Sequence, residues 1–353
     1  VTTESRGWRS HPLVQLTLVR YREFLREPEA VFWVFVFPVL LTAGLGIAFR
    51  NQAPQRVPVA VVGTAEASNR LAQALGRSPA LTVLRLDDSA AALALRTGKA
   101  AVVVMPDGAG GVRYRFDPDR PDARSARLEA DEAIQRAAGR VDPVPDTEQR
   151  VREPGARYVD FVVPGLLGLN LMGSGIWGLG FAIVDARKKR LLKRLVATPM
   201  SRSQYLASFV LSRLSLLVIE VAVLLGFAVL AFGVPVRGSL LTLAAVCVTA
   251  SLTFGAVGLL ISSRARTIEG VSGLMNLFML PMWIFSGVFF SSSRFPAVFQ
   301  PTIQALPLTA VNDALRAVML EGAGLGRIGP ELALLATWMV VSFLLAVRLF
   351  RWQ

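Results

Sequence analysis

The sequence is nearly devoid of the side chains that carry metal, redox or nucleophilic chemistry. It holds one cysteine, Cys247, and one histidine, His11, in 353 residues. No disulfide can form within the chain, and no metal site can be built from cysteines. A Ser-His-Asp triad or a histidine-based zinc site would have only His11 to draw on, and His11 reads as a surface residue. No GxxxxGK[ST] occurs, so the chain does not bind ATP in the P-loop manner. The Gly108–Gly111 cluster follows a strand-like run but lacks the lysine and spacing of a phosphate loop. No catalytic residue, metal or cofactor is therefore expected on this chain.

Acid is also scarce. Twenty-five Asp and Glu face 38 Lys and Arg, a net charge of +13. What replaces polar surface is apolar sequence: 53% of residues are hydrophobic and mean hydropathy is +0.50. A soluble domain of this size rarely reaches that, so the class is an integral membrane protein. Basic chains often bind nucleic acid. Here the excess charge flanks apolar runs instead of covering one soluble face, so nucleic acid is rejected as a partner. The segments 1–30, 185–205, 263–269 and 348–353 hold 16 basic residues against six acids. Lys and Arg near span ends resist translocation, which assigns these segments to the cytoplasm. Both termini then lie inside.

The most basic segment, 185–205, organises the chain. It carries Arg187, Lys188, Lys189, Arg190, Lys193, Arg194 and Arg202, with Asp185 its only acid. Leu191, Leu192, Leu195 and Val196 recur between the charges at helical spacing. Thr198-Pro199 stops that helix, because the residue before proline is pushed out of the α region. Ser201 can cap the next one. The segment reads either as a charged anchor that sets topology or as a short amphipathic helix offered to a cytosolic partner.

The fold class expected is an α-helical polytopic membrane protein of six spans with an inserted extracytoplasmic α/β domain. Residues 1–30 become an amphipathic helix suited to the cytoplasmic interface. Residues 31–49 form the first span, uncharged, with Pro38 inside; about 20 residues cross a bilayer. Residues 50–157 are polar and charged in both signs. Strands at 57–63, 81–86, 100–105 and 112–116 alternate with helices at 67–76, 89–98 and 121–139. The order βαβαββα implies a small α/β domain, with 112–116 at the sheet edge. Residues 140–156 are a proline-rich return linker.

The second span, 158–184, is rich in glycine, including Gly173 and Gly175 beside Trp177. Small residues let membrane helices approach closely, and glycines also permit bending along a substrate path. The third span, 206–232, carries Arg213 and, near its middle, Glu220. An acid at mid-membrane is costly and marks a functional site, or else a structural pair with an arginine or polar group on another helix. Two turns along one helix, Arg213 and Glu220 are too far apart for direct contact in a straight helix. The fourth span is 240–262, the fifth 271–290 with Asn276 and Phe290, and the sixth 332–349. Residues 291–330 are apolar but broken by Pro296, Pro301 and Pro307. They read as a re-entrant or interfacial helical pair on the outer side, where Asp313 and Arg316 could pair at i and i+3.

The order of these parts resembles the permease subunits of type-2 ATP-binding-cassette exporters. More narrowly it resembles the branch with a large extracytoplasmic domain between the first two spans, as in daunorubicin-resistance-type and multidrug permeases. The resemblance is carried by LLKRLVATPMSRSQYLASFVLSR at 191–213, LPMWIFSGVFF at 280–290 and LPLTAVNDALRAVMLEG at 306–322. VPVAVVG and LRTGKAAVVVMP in the α/β domain also look typical. Two places depart from the pattern: Ala305-Leu306 stands before Pro307 where Leu-Asn is common, and Ser291–Ser293 replace a proline after the fifth span. The resemblance implies a plasma-membrane (inner-membrane) dimer of permeases, homo- or heteromeric, driven by separate ATP-binding subunits that hold ATP and magnesium. It implies that Arg187 to Arg194, with Leu192 and Pro199, dock on that subunit. The substrate would be a drug, antibiotic or lipid, passing Gly173, Gly175, Trp177, Glu220, Asn276 and Phe290. Two rival classes remain: a receptor or assembly scaffold with an extracytoplasmic binding domain, and an ion-coupled transporter using Glu220.

Overall fold

The structure is a computed structural model that describes residues 12–49, 56–107, 111–141, 155, 157–188, 202–264 and 267–349. The chain divides into two compact units, one of residues 51–151 and one of residues 1–50 with 152–353.

The smaller unit is built on a four-stranded sheet in the order β2-β1-β3-β4. Strands β1 (Val57–Val62), β2 (Leu81–Leu86) and β3 (Val102–Pro106) are parallel, and β4 (Val112–Phe116) pairs antiparallel with β3. Register follows Val59↔Val83 and Val59↔Val102. β1 and β3 are near-continuous Val and Ala because a parallel strand is covered on both faces. Helices α3 (Glu66–Gly76) and α5 (Pro121–Ala137) cover one face, burying Leu75, Ala126, Ala130 and Ile134 against Val59, Val61, Val102 and Val104. Helix α4 (Asp88–Arg96) covers the other, setting Ala91 and Ala94 on Ala60 and Val103. β4 alternates as a sheet edge must: Tyr114 and Phe116 pack inward, while Arg113 and Arg115 pair with Asp107 and Asp88. Helix α4 starts on the Asp87 side chain, which accepts from Ala90 N–H. It ends before Gly98, whose φ is +71°.

Among its described residues, the larger unit has six helices long and apolar enough to cross a membrane. They are α2 (Pro28–Ala48), α6 (described as Tyr158–Lys188), α7 (Arg202–Phe232), α8 (Leu240–Ser262), α9 (Ile268–Phe285) and α12 (Gly329–Leu349). Before them, α1 (Pro12–Leu25) packs along α7, and the Tyr21 hydroxyl meets Ser215 Oγ. Within α2, residues Phe32–Val36 take the wider π-helical form, and Phe37 N–H reaches back five residues to Phe32 O. Pro38 follows at once; it has no N–H and its ring crowds the preceding turn, which the wider turn absorbs.

Burial separates the spans. In α6 and α8, 56% of the apolar window is buried; in the other four the share is 17–22%. So α6 and α8 form the inside of the unit, and α6 touches α2, α7, α8 and α9. Their close crossing depends on Gly258, where a Cβ would lie 2.6 Å from Ile176 O.

The fifth span stops earlier than the expected 271–290. α9 ends at Phe285, and Gly287 has a φ of +71°. The backbone then runs through 3-10 turns at Ser292–Arg294 and Ala297–Phe299 to α10 (Gln300–Gln304) and α11 (Pro307–Glu321). The apolar composition of Val288–Phe290 had concealed this break. α11, starting at Pro307 and closing on Gly322 at φ +72°, is buried along most of its length against α6, α8 and α12.

Candidate functional site

Among the described residues, three polar constellations inside the membrane unit centre on charged or amide side chains, and each ties two or more helices. The first joins α6 to α7. Arg213 Nη1 donates to Glu220 Oε1 at 2.8 Å, and Ser174 Oγ lies 2.9 Å from Glu220 Oε2. Arg213 Nη2 donates to Ser174 Oγ at 2.6 Å, closing the triangle. Glu220 is 2% exposed, and among the described residues the Arg213 Nε is buried without a partner.

This corrects the expectation that Arg213 and Glu220 are too far apart to touch. Seven residues are about two turns and 10.5 Å of rise, but they return to the same face of the helix. Helical side chains lean toward the N-terminus, which brings Glu220 toward Arg213, and the long guanidinium arm covers the remainder. A buried glutamate without a partner would be severely destabilising, so the arm has strong reason to stretch.

The second constellation repairs the break after α9. Asn312 Nδ2 donates to Ser286 O at 2.8 Å, and the Arg316 guanidinium binds Gly287 O. Arg316 also lies 3.9 Å from the centre of the Phe161 ring and 3.4 Å from Phe161 O. Ser286 O and Gly287 O are carbonyls left open where α9 unwinds, and an apolar interior offers no water to satisfy them. The expected pairing of Asp313 with Arg316 is present at 3.7 Å, but the arginine's closer partners are backbone. Asn312 rests directly over Gly168 of α6, where any Cβ would collide with its side chain.

The third lies where the chain enters α6. Asp160 is fully buried and accepts from Gly155 N–H, Arg157 N–H and, through both oxygens, the Arg157 guanidinium. The same guanidinium donates to Phe232 O and Gly233 O, capping the end of α7. Sequence reasoning missed this pair. An Arg and an Asp three residues apart at the threshold of a span were the available signal.

The expected path residues are not brought together at one place. Gly175 is buried against Phe254 of α8; Gly173 has nothing within 4 Å of its would-be Cβ. Trp177 stacks on Phe181, with ring centres 4.8 Å apart. Asn276 is exposed on α9, and Phe290 is exposed beyond its end. Pro307 is the first residue of α11. Of the expected docking residues, Arg187 and Lys188 are the last two described residues of α6; Lys189, Arg190, Leu192, Lys193, Arg194 and Pro199 lie outside the described residues.

Comparison with known proteins gives this architecture a family. A model of the ABC-2 family transporter proteins matches residues 29–348. The chain is 22% identical over 325 residues to the probable multidrug ABC transporter permease YbhS of Escherichia coli K12, covering 85% of this chain and 86% of that one. It is 24% identical over 203 residues to nodulation protein J of Bradyrhizobium diazoefficiens, covering 57% and 76%. It is 26% identical over 196 residues to ABC transporter G family member 20 of Dictyostelium discoideum, covering 55% of this chain and 27% of that much longer protein. With six candidate spans and a family match over nearly its whole length, the chain belongs to the ABC-2 transporter family, as a multi-pass membrane permease and not an enzyme.

Proposed function

We propose that this chain is the membrane subunit of an ATP-driven exporter, moving a hydrophobic or amphipathic substrate such as a drug, antibiotic or lipid out of the cytoplasm or inner leaflet. The observation that carries the reading is the family match over residues 29–348 in a chain whose sequence has no P-loop. The nucleotide chemistry then belongs to a separate ATP-binding-cassette subunit, which holds ATP and magnesium. The basic segment from Arg187 to Arg194, with Leu192 and Pro199, docks on it, at the connection between α6 and α7. A second permease, identical or similar, completes the assembly in the bacterial plasma membrane. Both termini are cytoplasmic, and the α/β unit is extracytoplasmic.

The helices flanking the docking segment are those that Arg213, Glu220 and Ser174 clamp together, which supports their moving as one body. Both Glu220 oxygens are engaged, by Arg213 and by Ser174. That supports a structural role over an ion-coupled one. The path for substrate runs along α6 and α9, past Gly173 and Asn276; Gly175, packed on Phe254, and Phe290, beyond the end of α9, stand apart from it.

Gentle-detergent purification from the native host, with mass spectrometry of the intact complex and an ATPase assay, tests the reading. A P-loop subunit should co-purify, and charge reversal at Lys193 and Arg194 should release it. A chain that emerges alone and without ATPase, under conditions that preserve a known complex, would overturn it in favour of a receptor or scaffold.

A further inference from the structure

A groove of about 420 Å³ opens between α8, α9 and α12. Leu260, Leu274, Leu277, Phe278 and Leu349 make its walls apolar. The last turn of α8 and the last described residue of α12 line it together with the middle of α9, so it runs from the end of α8 toward the middle of α9. Arg264, two residues past α8, closes one side of it. Arg348 stands next to Leu349 at the same end.

These two arginines are exposed, and among the described residues neither has an ion-pair partner. Glu269, on the first turn of α9, pairs with neither. The C-terminal dipole of α8 favours a cation here and the N-terminal dipole of α9, which starts just past Arg264, favours an anion, so the two offset. An occupant must therefore gain from the apolar walls as well as from the guanidinium. One chemistry combines both needs: an acyl chain ending in an anionic headgroup. Basic pockets between spans are known to recognise such headgroups.

We propose that this groove binds an anionic phospholipid, with an acyl chain along Leu274, Leu277 and Phe278 and the phosphate on Arg264. The inference rests on the membrane placement of the spans and is independent of transport.

The test uses the full chain in nanodiscs of phosphatidylcholine doped with phosphatidylglycerol, followed by release into detergent and native mass spectrometry. Retained lipid should favour phosphatidylglycerol. Arg264→Gln should cut that preference about fivefold, the effect of one basic residue on an anionic lipid. Leu277→Trp, or Leu274→Phe if the first variant melts early, should reduce retention of both lipids by filling the groove. Free glycerol phosphate should not displace the bound lipid. The proposal is overturned if Arg264→Gln retains phosphatidylglycerol as the parent does, or if free glycerol phosphate abolishes the preference. It is equally overturned if Leu277→Cys forms a disulfide-linked dimer in native membranes, because a second copy then covers the groove.

Discussion

The interior of the membrane unit holds charge in a way that the surface of the α/β unit does not. In the α/β unit, Arg70 and Glu66 pair with side chains 74% and 84% exposed, on one helix and in water. In the membrane unit, Asp160 and Glu220 are buried and both oxygens of each have a partner. The first kind of pair decorates a fold that its hydrophobic core already specifies. The second kind is a condition for the helices to sit where they do, because the alternative is an unpaired charge in an apolar medium.

The largest expected effect tests this contrast directly. Arg213→Ala should cost about 3–5 kcal/mol of stability in detergent, because it strands Glu220. The double variant Arg213→Met with Glu220→Met should recover much of the loss in the same unfolding assay. Equal losses in the single and double variants would break the comparison. Asp160→Asn should cost about 1.5–3 kcal/mol, as the charged acceptor becomes a neutral one. Hydrogen exchange at the first turn of α6 should rise with it.

Packing gives the next effect. Gly258→Ala should cost about 1–3 kcal/mol by forcing α8 off the Ile176 backbone. Gly173→Ala, with open space at its would-be Cβ, should leave the melting temperature unchanged. In the α/β unit, Glu66→Ala should stay within about 0.5 kcal/mol of the parent, as exposed pairs do.

The smallest effect depends on pH. The Ala90 N–H bond, with help from Ser89, holds the Asp87 carboxyl below its ordinary range. Its capping contribution is therefore fully present above the unfolded carboxylate value, about 3.9, and is lost as pH falls through the lower folded value. Hydrogen exchange at the start of α4 should accelerate over that acidic window, and Asp87→Asn should remove the pH dependence.

The same contrast governs what could be read in advance. All seven elements of the α/β unit were legible, because strands of Val and Ala and helices ended by glycine are local signals. The spans were legible for the same reason, as runs of apolar residues. The end of α9 was not: Val288–Phe290 continue the hydropathy while the backbone has already left the helix. The Arg213–Glu220 contact was misread because a distance along one helix axis omits side-chain length. Asn312 and Arg316 appeared only as a motif and a possible i,i+3 pair. Their role depends on carbonyls of a segment more than twenty residues earlier.

The amino-acid sequence alone determined the class, the number of spans and the α/β element order, since each follows from composition and periodicity within a short window. Tertiary structure decided which spans lie inside, how α9 can break within the unit and which partner each buried charge takes. Those outcomes depend on groups distant in the chain meeting where no water can substitute for either one.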